Sequence, residues 1–444
     1  AGMSVGRVRG SREGLSGGGT ASGPVSFMRA YDAWAGTIKS GGKTRRAAKM
    51  VSIDVDHPDV YDFIDSKLRE EDRLRTLAES GMNIGFDEEG ERNVAECTSF
   101  QNANNSIAVT DEFMSLAISG QNRPNWSLLN RVDGKPSSRV VASDLFRHIA
   151  KAAWTCADPG LHYIDHMNSM HTTPMIDGEP SPIRSTNPCG EYMSNDDTSC
   201  NLASLNLLKF LEGANGFNTL KFEQAVDVFI TAMDILVSFA YYPDEKIGNN
   251  TRLLRQLGLG YANMGASIMA QGWAYDSDEG RNFAASVTAL MTGRAYRQSA
   301  IVAGALEPFH YFEENRRSML EVIERHQSHL PPGMSGLWPA ARQSWGEAID
   351  HGVVNGYRNA QATVIAPTGT ISFLMDCDTT GIEPGYQLVQ YKELAGGGSM
   401  VLVNRSVHLG LQALDYTEGQ IAQLEAMLKD GDVEGFMNQL ARED

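Results

Sequence analysis

The chain has 444 residues, 42% hydrophobic and 21% charged, so it can bury a large core and is not a disordered tail, a coiled coil or a collagen-like repeat. With 38 Lys+Arg against 55 Asp+Glu, its net charge of −17 argues against coating nucleic acid or an anionic membrane, while leaving room for a local basic pocket that takes a phosphorylated metabolite. Cys97, Cys156, Cys189, Cys200 and Cys377 include no CxxC pair, which disfavours a disulfide framework or a structural zinc and places the chain in a reducing, cytoplasmic setting. No apolar run approaches the roughly 18 residues of a membrane span. The opening Ala1-Gly2-Met3, with neither initiator methionine nor signal peptide, predicts a start inside a longer protein.

In chain order, the glycines at 17–19 and Gly23-Pro24 predict a loop and then a helix with Phe27, Tyr31, Trp34 and Ile38 on one apolar face. Gly41-Gly42 ends it, and the loop Lys43-Thr44-Arg45-Arg46 follows. Residues 51–55 alternate like a strand, residues 67–96 read as a charged surface excursion, and 106–110 as a second strand. Ser143 is the expected N-cap of a helix carrying Leu145, Phe146, Ile149 and Ala153 on one side, stopped by Asp158-Pro159-Gly160. Residues 222–242 and 279–304 are long helical patterns, and between them Leu257-Gly258-Leu259-Gly260-Tyr261 lets backbones pack closely. Residues 362–366 read as an apolar strand running into Pro367-Thr368-Gly369-Thr370, and the end from Thr417 as helical and charged. Strands separated by helices, several apolar on both faces, predict an α/β protein with a buried parallel sheet in one large domain.

The densest chemical constellation is Ser185-Thr186-Asn187-Pro188-Cys189-Gly190-Glu191, followed by Cys200-Asn201-Leu202. Pro188 and Gly190 force a tight loop that presents Cys189, with a carboxamide two residues before it and a carboxylate two after. The bland alternative is a turn with an unreactive buried cysteine. A neighbouring carboxylate raises a thiol's pKa, and no histidine lies close in sequence, so a Cys–His hydrolase fits poorly. A thiol that carries a hydrogen atom needs only its S–H, a substrate C–H and a carboxylate to take a hydroxyl proton. The turn Pro367-Thr368-Gly369-Thr370-Ile371-Ser372 could cradle a diphosphate with backbone N–H groups and three hydroxyls, or be an ordinary capped loop. Arg45 and Arg46 suit an anion or effector phosphate, the alternative being a solvated basic turn. Cys97, Cys156 and Cys377 read as structural, and His162, His166 and His171 as core or surface residues rather than metal ligands.

These residues resemble the catalytic loop of ribonucleotide reductases, and the Pro-Cys-Gly form is similar to the adenosylcobalamin-dependent class II enzymes. Further segments resemble the class in the same order: Ala21-Ser22-Gly23-Pro24-Val25-Ser26-Phe27-Met28, Ser40-Gly41-Gly42-Lys43-Thr44-Arg45-Arg46-Ala47-Ala48-Lys49-Met50, Phe100-Gln101-Asn102-Ala103-Asn104-Asn105-Ser106, Ala366-Pro367-Thr368-Gly369-Thr370-Ile371-Ser372, and Asp376-Cys377-Asp378-Thr379-Thr380-Gly381-Ile382-Glu383-Pro384.

The resemblance implies an α/β fold, the ten-stranded barrel of the ribonucleotide reductase and glycyl-radical type, incomplete at both ends here, with the Cys189 loop enclosed at its centre. It implies reduction of ribonucleotides, as diphosphates, to 2′-deoxyribonucleotides for DNA synthesis, with adenosylcobalamin as cofactor. Cys189 would carry the thiyl radical, Glu191 act as general base, Asn187 bind ribose hydroxyls, and Cys200 be one of the reducing pair. Gly2, Ser22, Pro367, Thr368, Gly369, Thr370 and Ser372 would bind substrate, and Lys43, Arg45 and Arg46 a deoxynucleotide effector. A thioredoxin-like reductant and a homodimer through helices near the effector loop are further implications. The partner redox cysteine, the last barrel strands and the C-terminal shuttle cysteines of the family fall outside these 444 residues. The competing readings are a class I large subunit and a catalytically dead, nucleotide-binding homologue.

Overall fold

The computed structural model describes residues 1–38, 48–82, 98–120, 123–212, 216–332, 336–393 and 399–443. Cys97 and the effector candidates Lys43, Arg45 and Arg46 lie outside the described residues. Two compact units emerge, one of residues 1–174 and 180–196, the other of 175–179 and 197–444.

The first unit is built on a parallel sheet in the order Gly2–Ser4, Lys49–Asp54, Ala103–Val109, Gly160–Tyr163. Val51, Ile53 and Ile107 are fully buried and pack with Phe63, Ile64, Phe113, Leu145 and Ile149 of the connecting helices. Burial on both faces also takes in Ser52, whose hydroxyl meets Ser185 Oγ at 3.0 Å and the Arg184 carbonyl at 3.2 Å.

The helix Pro24–Thr37 forms as expected but is turned the other way. Phe27, Trp34 and Ile38 are 46%, 63% and 56% exposed, while Met28, Asp32 and Ala35 face inward. The rotation is set by a buried ion pair. Lys49 Nζ donates to Asp32 Oδ1 at 3.0 Å, and the same carboxylate accepts the backbone N–H groups of Gln101 and Asn102 at 3.2 and 3.0 Å. Leaving that charge uncompensated in the core would cost more than exposing one apolar stripe.

Two further expectations shift. The helix Val60–Glu79 runs through much of the supposed excursion, tied down by Lys67 to Asp158 and by the Ser99 N–H to Glu70 Oε2 at 3.2 Å. The helix Ala142–Cys156 starts before Ser143, with Val141 at the N-cap and no side-chain cap. Ala142, Leu145, Ile149 and Ala152 are its buried residues. Ala157, at φ 62°, closes it through an N–H bond to the Ala153 carbonyl at 2.9 Å.

In the second unit the parallel strands Asn201–Asn206 and Leu257–Ala262 lie beside residues 362–364. The Leu259 N–H donates to the Ala362 carbonyl at 3.1 Å and the Val364 N–H to the Leu259 carbonyl at 3.0 Å. The glycines permit this approach, since a Cβ at Gly258 would sit 2.5 Å from Leu202 Cδ2 and one at Gly260 2.6 Å from the Val364 carbonyl oxygen. The expected strand over 362–366 is reduced to one bridge at Thr363, and Pro367 has no N–H with which to resume the pairing. The helices Thr219–Phe239 and Asp278–Leu306 match the two long helical patterns within a few residues, and a core of Phe222, Tyr261, Phe309, Phe312 and Tyr357 fills the space among the helices and strands. From Thr417, which caps its helix reciprocally with Gln420, the helices Glu418–Lys429 and Val433–Glu443 pack Ile421, Leu424, Leu428 and Phe436 on Val407 and Leu411.

The architecture is mixed α/β. Among the described residues no closed barrel and no ten-stranded sheet is seen; the strands form the open four-stranded sheet, the parallel pair and antiparallel hairpins such as Asn125–Leu129 with Pro136–Val141. No helix among them is long and apolar enough to cross a membrane.

Candidate active site

The Cys189 segment is a hairpin of the first unit, closed by the bridge between Thr186 and Met193. The Gly190 N–H returns to the Asn187 carbonyl at 3.1 Å, and Gly190 itself has φ 89°, which a side chain would resist. Proline before the cysteine and glycine after it thus make the tip the sequence suggests. Asn187 reaches across the base of the turn: its Nδ2 donates to Glu191 Oε2 at 2.7 Å and its Oδ1 accepts the Tyr192 N–H at 2.9 Å. Carboxamide, thiol and carboxylate are thereby carried on one short loop.

Three neighbours position this hairpin. Asn104, on the strand Ala103–Val109, donates to the Pro188 carbonyl at 2.6 Å. Ser185 Oγ donates to the Met3 carbonyl at 3.4 Å. Gly2 touches it most closely, since a Cβ there would lie 1.7 Å from the Thr186 carbonyl oxygen. Below, Thr186 Oγ1 donates to the Asn187 carbonyl at 2.9 Å and lies 3.4 Å from Nε2 of buried His162, whose imidazole is pushed down in pKa by burial. Gly2, Asn104, His162, Ser185 and Thr186 all stand in the sequence reading, but none there is assigned the support of this hairpin.

The expected enclosure of the thiol is corrected: Cys189 is exposed. The parallel sheet beneath it is open, so this unit supplies a floor for the loop and no wall around it. Ser22 is also exposed, its carbonyl accepting Ser26 Oγ at 2.8 Å.

Cys200 and the phosphate-cradle candidates belong to the second unit. Cys200, half-buried, immediately precedes the strand Asn201–Asn206, which Asn201 Nδ2 ties to the Met233 carbonyl at 3.0 Å. The turn 367–372 follows the C-terminal ends of the parallel elements, where ligands of such sheets are bound. Asparagines tie down the segment that follows it: Asn206 Nδ2 donates to the Met375 carbonyl at 3.0 Å, Asn263 Nδ2 to Asn206 Oδ1 at 2.8 Å, and Asn263 Oδ1 accepts the Thr379 N–H at 2.8 Å.

The three hydroxyls are not all presented to a ligand. Thr368, at φ 53° and buried, accepts the Gly381 N–H at 2.6 Å and donates to the Pro367 carbonyl at 2.8 Å. Ser372 Oγ donates to the Gly369 carbonyl at 2.7 Å. These two shape the turn. Gly369, Thr370 and Ile371 are exposed, and their backbone N–H groups, like the Thr370 hydroxyl, find no acceptor among the described residues.

Cys377 is half-buried and its thiol is pushed up to about 11, first by burial and then by Asp378 and Asp376. Cys156 is raised by burial and donates weakly to the Ala152 and Asp158 carbonyls, both at 3.4 Å. Both fit an inert role. His162 lies on a strand and His166 on the following short helix, and no cluster of metal-ligating side chains occurs among the described residues.

The chain matches the family described as ribonucleotide reductase, barrel domain, over residues 1–440. It is 48% identical over 442 residues to a vitamin B12-dependent ribonucleotide reductase of Streptomyces coelicolor, covering 97% of this chain and 44% of that one. A protein of the same name from Rhodopirellula baltica is 45% identical, over 95% of this chain and 40% of its own length. A vitamin B12-dependent ribonucleoside-diphosphate reductase of Mycobacterium tuberculosis is 32% identical, over 85% of this chain and 45% of its own. The chain thus spans less than half the length of these relatives. With the match running almost from end to end, the chain belongs to the ribonucleotide reductase barrel-domain family.

Proposed function

We propose that this chain is the catalytic part of an adenosylcobalamin-dependent ribonucleotide reductase, which converts ribonucleoside diphosphates to 2′-deoxyribonucleotides. The observation that carries the reading is the hairpin that sets Cys189 at its tip with Asn187 hydrogen-bonded to Glu191 behind it. An exposed thiol on a solvent-facing apex suits the approach of a bulky cofactor, and Cys189 is the residue that would meet it. Adenosylcobalamin, when bound, supplies a carbon-centred radical able to take a hydrogen atom from a thiol.

The rest is done by this chain's own groups. The Cys189 thiyl takes the ribose 3′ hydrogen, and Glu191 accepts the 3′-hydroxyl proton as general base. Asn187 orients both the carboxylate and the sugar hydroxyls. Cys200 and a second cysteine give two electrons and two protons, one proton leaving with the 2′-hydroxyl as water and the other ending on the 2′ carbon. Cys189 returns its hydrogen atom to the 3′ carbon and Glu191 its proton to the 3′ oxygen, and the pair ends as a disulfide that a thioredoxin-like reductant reopens. The backbone donors of residues 369–371 with Thr370 hold the diphosphate, in a turn shaped by Pro367, Thr368, Gly369 and Ser372, with Gly2 and Ser22 also lining the substrate site. Lys43, Arg45 and Arg46 receive the phosphates of a deoxynucleotide effector. The diphosphate reading is supported by the name of the Mycobacterium relative, a ribonucleoside-diphosphate reductase. Residues 1–444 form one catalytic domain within the family's ten-stranded barrel, and the outward face of Phe27, Trp34 and Ile38 pairs with a second copy.

The test is deoxynucleotide formation by the full-length protein with and without adenosylcobalamin. Activity should require the cofactor and vanish in Cys189→Ser while nucleotide binding persists. Activity without cobalamin would place the chain with the enzymes that use a separate radical-generating subunit, and an active Cys189→Ser would end the thiyl assignment.

A further inference from the structure

The second unit holds a cavity of about 380 Å³ lined by Arg252, Arg255, Arg358, His310, Glu307 and Glu313 among others. It lies away from the phosphate-cradle turn. Arg255 stands just before the start of the strand Leu257–Ala262, and Arg358 before the run 362–366, whereas the turn follows their C-terminal ends. In a chain of net charge −17, three guanidinium groups around one hollow are a local reversal of sign.

The charges there are only partly matched. Buried Asp234 serves two arginines, with Oδ1 2.7 Å from Arg255 Nε and Oδ2 3.4 Å from Arg358 Nε. Glu313 is taken by Arg316 in a two-pronged pair at 2.7 and 3.0 Å. Arg252 lies over the Tyr242 ring, 5.1 Å from its centroid, and forms no ion pair among the described residues. Only Glu307 remains as a counter-charge on the wall, so the hollow keeps a net positive balance.

The arginines are also held in place. Arg358 Nη1 donates to the carbonyls of Leu306 and Glu307 at 2.9 and 3.0 Å. Both carbonyls are presented by a chain reversal in which Glu307 adopts φ 68° and ψ 155°, a region otherwise left to glycine. The first turn of the helix Phe312–Ser328, which contains Glu313, adds the positive end of a 17-residue helix. Fixed guanidinium forks, a positive wall and a volume in the range of small-ligand pockets suit phosphate rather than an apolar ligand.

We propose that this cavity binds a phosphate-bearing small molecule, its phosphate seated between Arg252 and Arg358. The inference stands independently of the catalytic reading. The probe is inorganic pyrophosphate, and the readout is protection of individual arginines in the full-length protein from phenylglyoxal, followed by mass spectrometry. This keeps the cavity distinguishable from the turn 367–372, whose own arginine content is nil. Pyrophosphate should protect Arg252 and Arg358 saturably, while Arg317, 90% exposed on the surface, reacts unchanged. Arg252→Gln should weaken protection of Arg358 roughly tenfold or more. The proposal is overturned if Arg252 and Arg358 react equally with and without pyrophosphate, if Arg317 is protected to the same degree, or if Arg252→Gln leaves protection of Arg358 unchanged.

Discussion

Replacing Gly2 by alanine tests the contact between the first strand and the Cys189 hairpin. The new Cβ would lie 1.7 Å from the Thr186 carbonyl oxygen, where real contacts do not fall below 3.0 Å, so about 1.3 Å must be found. Either the strand Gly2–Ser4 or the hairpin has to move. The strand is anchored by the Met50 N–H to the Ala1 carbonyl at 2.9 Å and the Val5 N–H to the Ser52 carbonyl at 2.8 Å, in addition to its parallel register. Releasing those bonds costs about 2–3 kcal/mol at about 1 kcal/mol each. The hairpin is closed by one bridge and a long Asn187 N–H to Tyr192 carbonyl bond of 3.3 Å, and beyond these its tip is steadied by the Asn104 bond to the Pro188 carbonyl at 2.6 Å; with Cys189 exposed it can pivot about that bond as a unit, where the strand would have to break its pairing. Cys189 and Glu191 would then move together by about 1 Å, a displacement that costs on the order of a hundredfold in rate. Full-length Gly2→Ala should therefore melt within a few degrees of wild type and form deoxynucleotides about a hundredfold more slowly. An unchanged rate, or a rate lost only in proportion to unfolded protein, would refute the reasoning.

Other outcomes follow from the same geometry. Asn187→Ala removes one charge-assisted and one neutral hydrogen bond, about 2–3 kcal/mol of loop order, and should lower kcat ten- to a hundredfold with a smaller change in KM; an intact kcat would dissociate the carboxamide from catalysis. Burial pushes His171 from the ordinary 6.5 down to about 4, so the unfolded chain binds its proton first and stability falls as pH drops from 6.5 to about 4, by up to about 3 kcal/mol. Urea titrations of wild type and His171→Gln across that window should show the variant losing less, and parallel curves would exclude His171 as the cause. Trp34→Glu, on an exposed position, should leave the melting temperature unchanged and convert a dimer to a monomer by light scattering; a variant that stays dimeric would remove this face from the interface. Thr368→Val strands the buried Gly381 N–H and should destabilise by about 1–3 kcal/mol, whereas Thr370→Val should weaken nucleotide binding without destabilising; the reverse pattern would invert the roles given to the two hydroxyls.

Much of the fold was legible because local signals agree with tertiary ones. Glycine at 258 and 260 announced close backbone approach, and both positions abut neighbouring chain at under 3 Å. The long helical patterns near 222–242 and 279–304 and the Pro-Cys-Gly tip formed much as their residues imply. Legibility failed where one long-range polar contact outweighed a periodic pattern. The stripe of Phe27, Tyr31, Trp34 and Ile38 is a regular apolar face, yet the helix turns on Asp32 because Lys49 and the Gln101 and Asn102 amides wait there. Periodicity reports that a helix has an apolar face but not which of two faces meets its own core, and an outward stripe of this kind is what a second chain would cover.

The site shows the same division between composition and placement. The sequence around residue 370 offered three hydroxyls and a glycine, and a reading by residue type assigns all of them to the ligand. In the structure the hydroxyls of Thr368 and Ser372 are used in building the turn, and three consecutive backbone N–H groups of exposed residues are left without an acceptor among the described residues. An anion would be held mainly by groups every residue possesses, arranged by side chains that never touch it. The Cys189 hairpin repeats the pattern, with Asn104, Ser185 and the missing side chain of Gly2 fixing where the sulfur sits. Reactive residues can be read from a sequence because their chemistry limits the choice of side chain. The residues that aim them act through distance, and distance exists only once the chain has folded.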